Sequence, residues 1–143
     1  MKKRILNEVN MEISSLSVNE SFARSVVSLF ITQLDPVIEE LADIRTAVSE
    51  GVTNSVVHAY RGTSGKIYIS VKYYDDRTVR IQIKDKGCGI DDVDKAMEPL
   101  YTTDTSGERG GMGFAIMKNF TDRIAVKSKP NKGTTVTMCK RLS

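Results

Sequence analysis

Cysteine and histidine are scarce in this chain: 143 residues hold two cysteines, Cys88 and Cys139, and one histidine, His58. They form no CxxC or Cys/His spacing, which argues against a zinc site and a disulfide framework and makes a reducing cytosol the expected compartment. Long apolar runs are missing too. The longest strongly apolar stretch, "VVSLFI" at 26–31, is far short of the roughly 20 residues that cross a bilayer. The opening "MKKRILNEVN" carries positive charge but no apolar segment or small-residue cleavage site behind it, so a cytoplasmic protein with no membrane partner is expected. Nor is one sign of charge dominant. The formal net charge is +3, the basic residues are scattered, and neither an aromatic platform nor a helix-turn-helix pattern accompanies them, which argues against direct nucleic-acid binding. With 40% hydrophobic and 27% charged residues, and no repeat, low-complexity segment or linker, residues 1–143 read as a single domain.

Hydrophobic periodicity supplies the elements. Residues 5–13 alternate loosely as a strand. Ser17 and Glu20 have the spacing of a capping box, ahead of a helix with Phe22, Val26, Leu29, Phe30, Gln33 and Leu34 at helical steps. Asp35-Pro36 suits an N-cap and first helical residue, starting a second helix that ends near Tyr60, before Gly62. Its core stripe is Leu41, Ile44, Val48, Val52, Val56 and Ala59. Ile67, Ile69, Val71 and Tyr73, then Val79, Ile81 and Ile83, alternate cleanly as two strands joined by a turn at "DDR". A short helix at 91–97 and a polar loop at 99–112 follow. "GFAIMKNF" then reads as a helix with Gly113, Ile116, Met117 and Phe120 on one face, and "RIAVKS" and "TTVTMCK" as a strand pair joined by "KPNKG". The order β-α-α-β-β-α-β-β predicts an α+β, two-layer sandwich: a mostly antiparallel mixed sheet with helices on one face.

The polar side of the second helix is unusual. At about 100° per residue, Glu50 and Asn54 lie opposite the core stripe, among Asp43, Thr46, Ala47, Thr53, Val57 and Arg61. An ordinary solvated face carries more Lys and Glu, though a chance polar pair is equally what such a face holds. Two glycine-rich turns bear on the choice. "DKGCGI" (85–90) follows a strand, where Asp and Gly suit any tight turn; glycines there also let backbone approach a planar ligand, with Asp85 accepting from an exocyclic amine such as that of adenine. "SGERGGMGF" (106–114) sets glycines and Arg109 directly before a helix, whose free N–H groups suit phosphate, although a flexible loop has the same composition. Neither turn is a Walker A or G-x-G-x-x-G loop, and the protein-kinase H-R-D and D-F-G are absent. Taken in order, the three pieces assemble one pocket for Mg-ATP. In it the Asn54 amide oxygen is a hard ligand for Mg²⁺, and Glu50 is a general base toward an incoming hydroxyl.

That order of boxes resembles the GHKL ATPase superfamily. Within it, "VSEGVTN", "DKGCGI", "PLYTTD", "GGMGFAIMKNFTD" and "NKGTTV" look like the small stand-alone anti-sigma factor kinases, among them the group acting on a sporulation sigma factor. The resemblance spans essentially the whole chain. It implies a Bergerat-type fold, ATP/ADP and Mg²⁺ as cofactors, a homodimer, a sigma factor as partner, and an anti-anti-sigma protein as the substrate phosphorylated on serine. By the same likeness Glu50 is the catalytic base and Asn54 the Mg²⁺ ligand. Asp85 recognises adenine, with Gly87, Gly89 and Thr134 lining the base. Arg109, Gly110, Gly111 and Gly113 form the phosphate end in a short lid. Arg24, expected to be exposed about 200° from Phe22, matches a partner-contacting arginine, though a solvated arginine suits that position as well. His58 follows Asn54 in the helix and reads as a structural neighbour, since a histidine kinase's acceptor lies on a separate helical domain. Gly51 stands where alanine is usual and Gly110 where serine often stands. A stress-response anti-sigma kinase and a nucleotide-sensing binder without phosphotransfer are the alternative readings.

Overall fold

A computed structural model describes residues 2–60, 63–90, 92–93, 97 and 113–143. Strand β1 (Ile5–Ser14) leads into helix α1 (Val18–Ile31), a short 3₁₀ turn (Thr32–Leu34) and helix α2 (Ile38–Asn54), which continues through one π-helical turn (Ser55–Ala59). A hairpin of β2 (Lys66–Tyr74) and β3 (Thr78–Asp85) follows, then helix α3 (Gly113–Asn119) and a second hairpin, β4 (Arg123–Lys129) and β5 (Gly133–Arg141). The strands form one sheet in the order β1-β2-β3-β5-β4. All four ladders are antiparallel, so the sheet is more uniform than the mixed one expected.

The sheet buries one face. Ile67, Ile69 and Val71 of β2, Val79, Ile81 and Ile83 of β3, and Val136 and Met138 of β5 point inward, as period-two alternation requires. Helix α2 lies over β3 between α1 and α3 and contributes Ile44, Val48 and Val52 to the core, all fully buried. Each such aliphatic side chain stabilises the fold by about 1.5–3 kcal/mol. Ala47, expected on the polar face, is also fully buried, because α2 is flanked by helices on both sides and its buried arc is wider than one stripe. Gly51 has the same cause. A Cβ there would come 2.5 Å from Ile83 Cδ1 and 3.5 Å from Met117 Sδ, so its lack of a side chain accommodates Ile83 of β3.

Four local expectations are corrected. Helix α1 buries Ala23, Val27 and Ile31, while Phe22 (56% exposed) and Leu29 (70%) face outward; Arg24 is half-buried where exposure was expected. The capping box does not form, since Ser17 makes no side-chain cap and the Glu20 carboxylate instead accepts from Ser49 Oγ of α2 and pairs with Arg24 at 3.6 Å. Helix α2 begins at Ile38 after Val37, whose N–H donates to Glu40 Oε1 (3.3 Å), while Asp35 adopts a left-handed conformation (φ 50°, ψ 56°) that ends the 3₁₀ turn. In α3 the buried pair is Phe114 and Met117, with Phe120 on the surface. The helix expected at 91–97 and the loop at 99–112 lie almost wholly outside the described residues.

Candidate active site

The end of α2 and the end of β3 are fastened together, and the fastening defines the site. The Ala59 carbonyl, one of those a helix leaves without an internal partner, accepts from Cys88 N–H at 2.8 Å. Gly87 makes this approach possible, because a Cβ there would sit 2.1 Å from Ala59 O. Gly89 (φ +75°) packs beneath the β4–β5 turn, where a Cβ would lie 2.0 Å from Lys129 O, and the Cys88 carbonyl accepts from Asn131 N–H. Both glycines were expected to let a ligand approach backbone; here they let backbone approach backbone. Replacing Gly87 by Ala is therefore expected to cost about 1–3 kcal/mol of stability, which denaturant unfolding measures directly.

Asp85, 4% exposed, closes β3. Its Oδ1 accepts from Gly87 N–H (3.0 Å) and Thr134 N–H (3.2 Å), and its Oδ2 accepts from Ser55 Oγ (3.1 Å). Burial pushes its carboxyl above the ordinary aspartate range, and these three hydrogen bonds pull against that shift. Thr134 is buried beside it, with its hydroxyl 2.8 Å from Ser128 Oγ. The sequence reading missed Ser55 and Ser128. Ser55 had a usable signal, since it occupies a core-stripe position, three residues after Val52 and four before Ala59, where a small hydroxyl needs a buried partner. Ser128 sits on a hairpin strand and had none.

Glu50 and Asn54, both half-buried, converge on the first residue of α3. A Cβ on Gly113 would lie 3.7 Å from Glu50 Oε2 and 3.9 Å from Asn54 Oδ1, so two oxygens from successive turns of α2 face the open side of that glycine. Arg24, Arg45, Thr46, Ser49 and Glu50 line a groove of about 280 Å³ between α1 and α2. Arg24, expected at a partner surface, thus opens on the same groove as the expected base. Within the arginine, Nε is shielded from solvent without a hydrogen-bond partner, while Nη1 reaches Glu20. The structure therefore brings Glu50, Asn54 and Gly113 together at one end, and Asp85, Gly87, Gly89 and Thr134 together at the other. Arg109, Gly110 and Gly111 lie outside the described residues.

A carboxylate and an amide one turn apart on a helix, a buried aspartate before a glycine turn, and a helix-on-sheet layer are the features of an ATPase-like domain. Residues 14–140 match the histidine kinase-like ATPase domain family. Among solved structures, the chain superposes on the RsbU and RsbW domains of Rv1364c from Mycobacterium tuberculosis with a TM-score of 0.68 at 18% identity, covering 95% of this chain and 32% of that one. It also superposes on the mycobacterial sensor histidine kinase MprB (TM-score 0.58, 15% identity, 94% and 100% covered). Similarity at these identities is one of fold. Sequence is more specific. The anti-sigma F factor of Priestia megaterium is 52% identical over 138 residues, covering 96% of this chain and 94% of the relative. That of Bacillus subtilis strain 168 is 50% identical over the same shares. The chain belongs to the anti-sigma F factor family.

Proposed function

We propose that this protein is an ATP-dependent serine kinase that also holds a sporulation sigma factor inactive, its phosphorylation substrate being the anti-anti-sigma protein that opposes it. The observation that carries the kinase reading is the convergence of Glu50 Oε2 and Asn54 Oδ1 on Gly113, beside a groove of about 280 Å³ that Glu50 also lines. The sigma-factor reading follows the relatives' name. Both partners meet in the cytoplasm, and no helix among the described residues is long and apolar enough to cross a membrane.

In this reading adenine meets Asp85, with Gly87, Gly89 and Thr134 around it, the phosphates extend toward Gly113, and the family resemblance gives Arg109, Gly110 and Gly111 the role of holding them. Glu50 takes the proton of the acceptor serine as its oxygen bonds to the γ-phosphorus and the bridging bond to the β-phosphate breaks, leaving ADP and phosphoserine. Among the described residues no group of three or more His, Cys, Asp or Glu could hold a metal ion. One amide oxygen suits Mg²⁺, which takes most of its ligands from phosphate and water. Asn54 would hold it, and when bound it neutralises charge on the phosphates. Intact-protein mass spectrometry of an anti-anti-sigma protein, after incubation with this protein and Mg-ATP, tests the reading: one phosphoryl group gained on serine is the expected result. No gain with ATP still bound leaves a nucleotide-sensing binder.

The outward face of α1 supports a homodimer. Val18 (72% exposed), Phe22 and Leu29 recur at helical spacing along it, a stripe more apolar than a lone solvated helix needs. Phe22→Ser combined with Leu29→Ser is expected to convert a dimer to a monomer in sedimentation velocity without unfolding it, since neither side chain belongs to the core.

A further inference from the structure

The hydrogen-bond directions around Asp85 and Thr134 are fixed by two serines, and they leave the two residues with acceptors only. At Asp85, the ionised carboxylate can only accept, and it takes protons from Gly87 N–H, Thr134 N–H and Ser55 Oγ. At Thr134 the chain of protons is longer. Ser128 Oγ accepts from Ile90 N–H at 2.8 Å and lies 2.9 Å from the Gly133 carbonyl, which can only accept. The single Ser128 proton is thereby committed to that carbonyl. With the proton placed there, the Thr134 hydroxyl, 2.8 Å from Ser128 Oγ, is the donor of that pair, and what Thr134 retains is lone pairs.

We propose that Ser128, together with Ser55, sets this proton order so that the base-recognition edge formed by Asp85 and Thr134 selects a 6-amino purine over a 6-oxo purine, with Ser128 and Ser55 acting as positioning residues. The inference rests on the nucleotide-binding reading above and assigns the proton order of that edge to two residues outside the expected set. An exocyclic amine offers the donors that such an edge lacks. A 6-oxo group brings another acceptor, and its neighbouring ring N–H cannot satisfy the same contact. A buried polar edge left unpaired discriminates far more strongly than a difference in packing does.

The test compares ATP with inosine triphosphate, binding each to the full chain by calorimetry. Wild type is expected to favour ATP by at least about 100-fold. Ser128→Ala frees the Thr134 hydroxyl to donate, and the preference is expected to drop about tenfold, mainly through tighter binding of inosine triphosphate. Ser128→Thr, which keeps the oxygen, is expected to restore it. A merely structural role for Ser128 would weaken both nucleotides equally and leave the ratio unchanged, and that outcome overturns the proposal. Should Ser128→Ala fail to fold, Thr134→Val gives an independent reading: it removes an acceptor, so ATP is expected to weaken while inosine triphosphate does not, and equal weakening overturns the proposal. Wild type binding neither nucleotide would instead remove the reading on which the inference stands, a result distinct from equal affinity for the two.

Discussion

Glu50→Gln is expected to lower the rate of phosphoryl transfer by about 10³-fold or more, with ATP affinity changed by no more than about twofold. The two side chains have the same length and nearly the same volume, so the approach of position 50 to Gly113 (3.7 Å from Oε2 to a Cβ there) is kept. What is lost is the capacity to take a proton. Glutamine can still accept a hydrogen bond from a serine hydroxyl, so the acceptor remains oriented, but the proton has no destination as the new oxygen–phosphorus bond forms. Single-turnover transfer from ATP to the anti-anti-sigma protein, with ATP binding measured separately by calorimetry, resolves the two quantities. Equal loss of both would mean that Glu50 holds nucleotide and is not the base. Unchanged transfer would place the proton acceptor elsewhere.

How far such a site can be read before any coordinates depends on the scale of the cause. Strands β2 and β3 were legible because alternation is a local property and one face of each is buried, with only Tyr73 at the end of β2 left half-buried. Glu50 and Asn54 were legible because two polar groups one turn apart share a helix face wherever that helix is placed. The faces of α1 were not. Its sequence carries two apolar stripes, one of Ala23, Val27 and Ile31 and another of Val18, Phe22 and Leu29, and periodicity does not say which meets the sheet. The larger residues looked like core, yet α1 packs closely on α2 through the smaller ones. The expected caps failed for a related reason. Glu20 had the spacing to bond its own helix, but Ser49 and Arg24 offered it partners that sequence separation hides. Gly87 and Gly89 stood out in sequence as turn glycines, but their approaches to Ala59 and Lys129, 28 and 40 residues away along the chain, did not.

Asp85→Asn is expected to abolish useful ATP binding, by at least about 100-fold, while leaving the nucleotide-free protein as stable as the parent or more so once the parent's carboxyl is ionised. The same hydrogen bonds explain both halves. An asparagine oxygen can accept from Gly87 and Thr134 N–H in place of Oδ1, and its amide nitrogen can donate to Ser55 Oγ, which reverses direction. The network survives, but a donor now stands where an exocyclic amine needs an acceptor. On the stability side, burial raises the Asp85 carboxyl above its ordinary range, so the folded chain holds that proton more tightly than the unfolded chain does. The contribution of Asp85 to stability is then fully present below the ordinary aspartate range and is lost as pH rises through the raised value. Above it, the parent carries a buried charge that the amide variant does not. Thermal unfolding without nucleotide is therefore expected to favour Asp85→Asn at pH above the raised value, with the advantage shrinking as pH falls through it and the parent takes up its proton. A variant destabilised at every pH would assign Asp85 to holding the fold. Loss of ATP binding with stability kept would mark a residue whose buried charge serves the ligand at the expense of the empty protein.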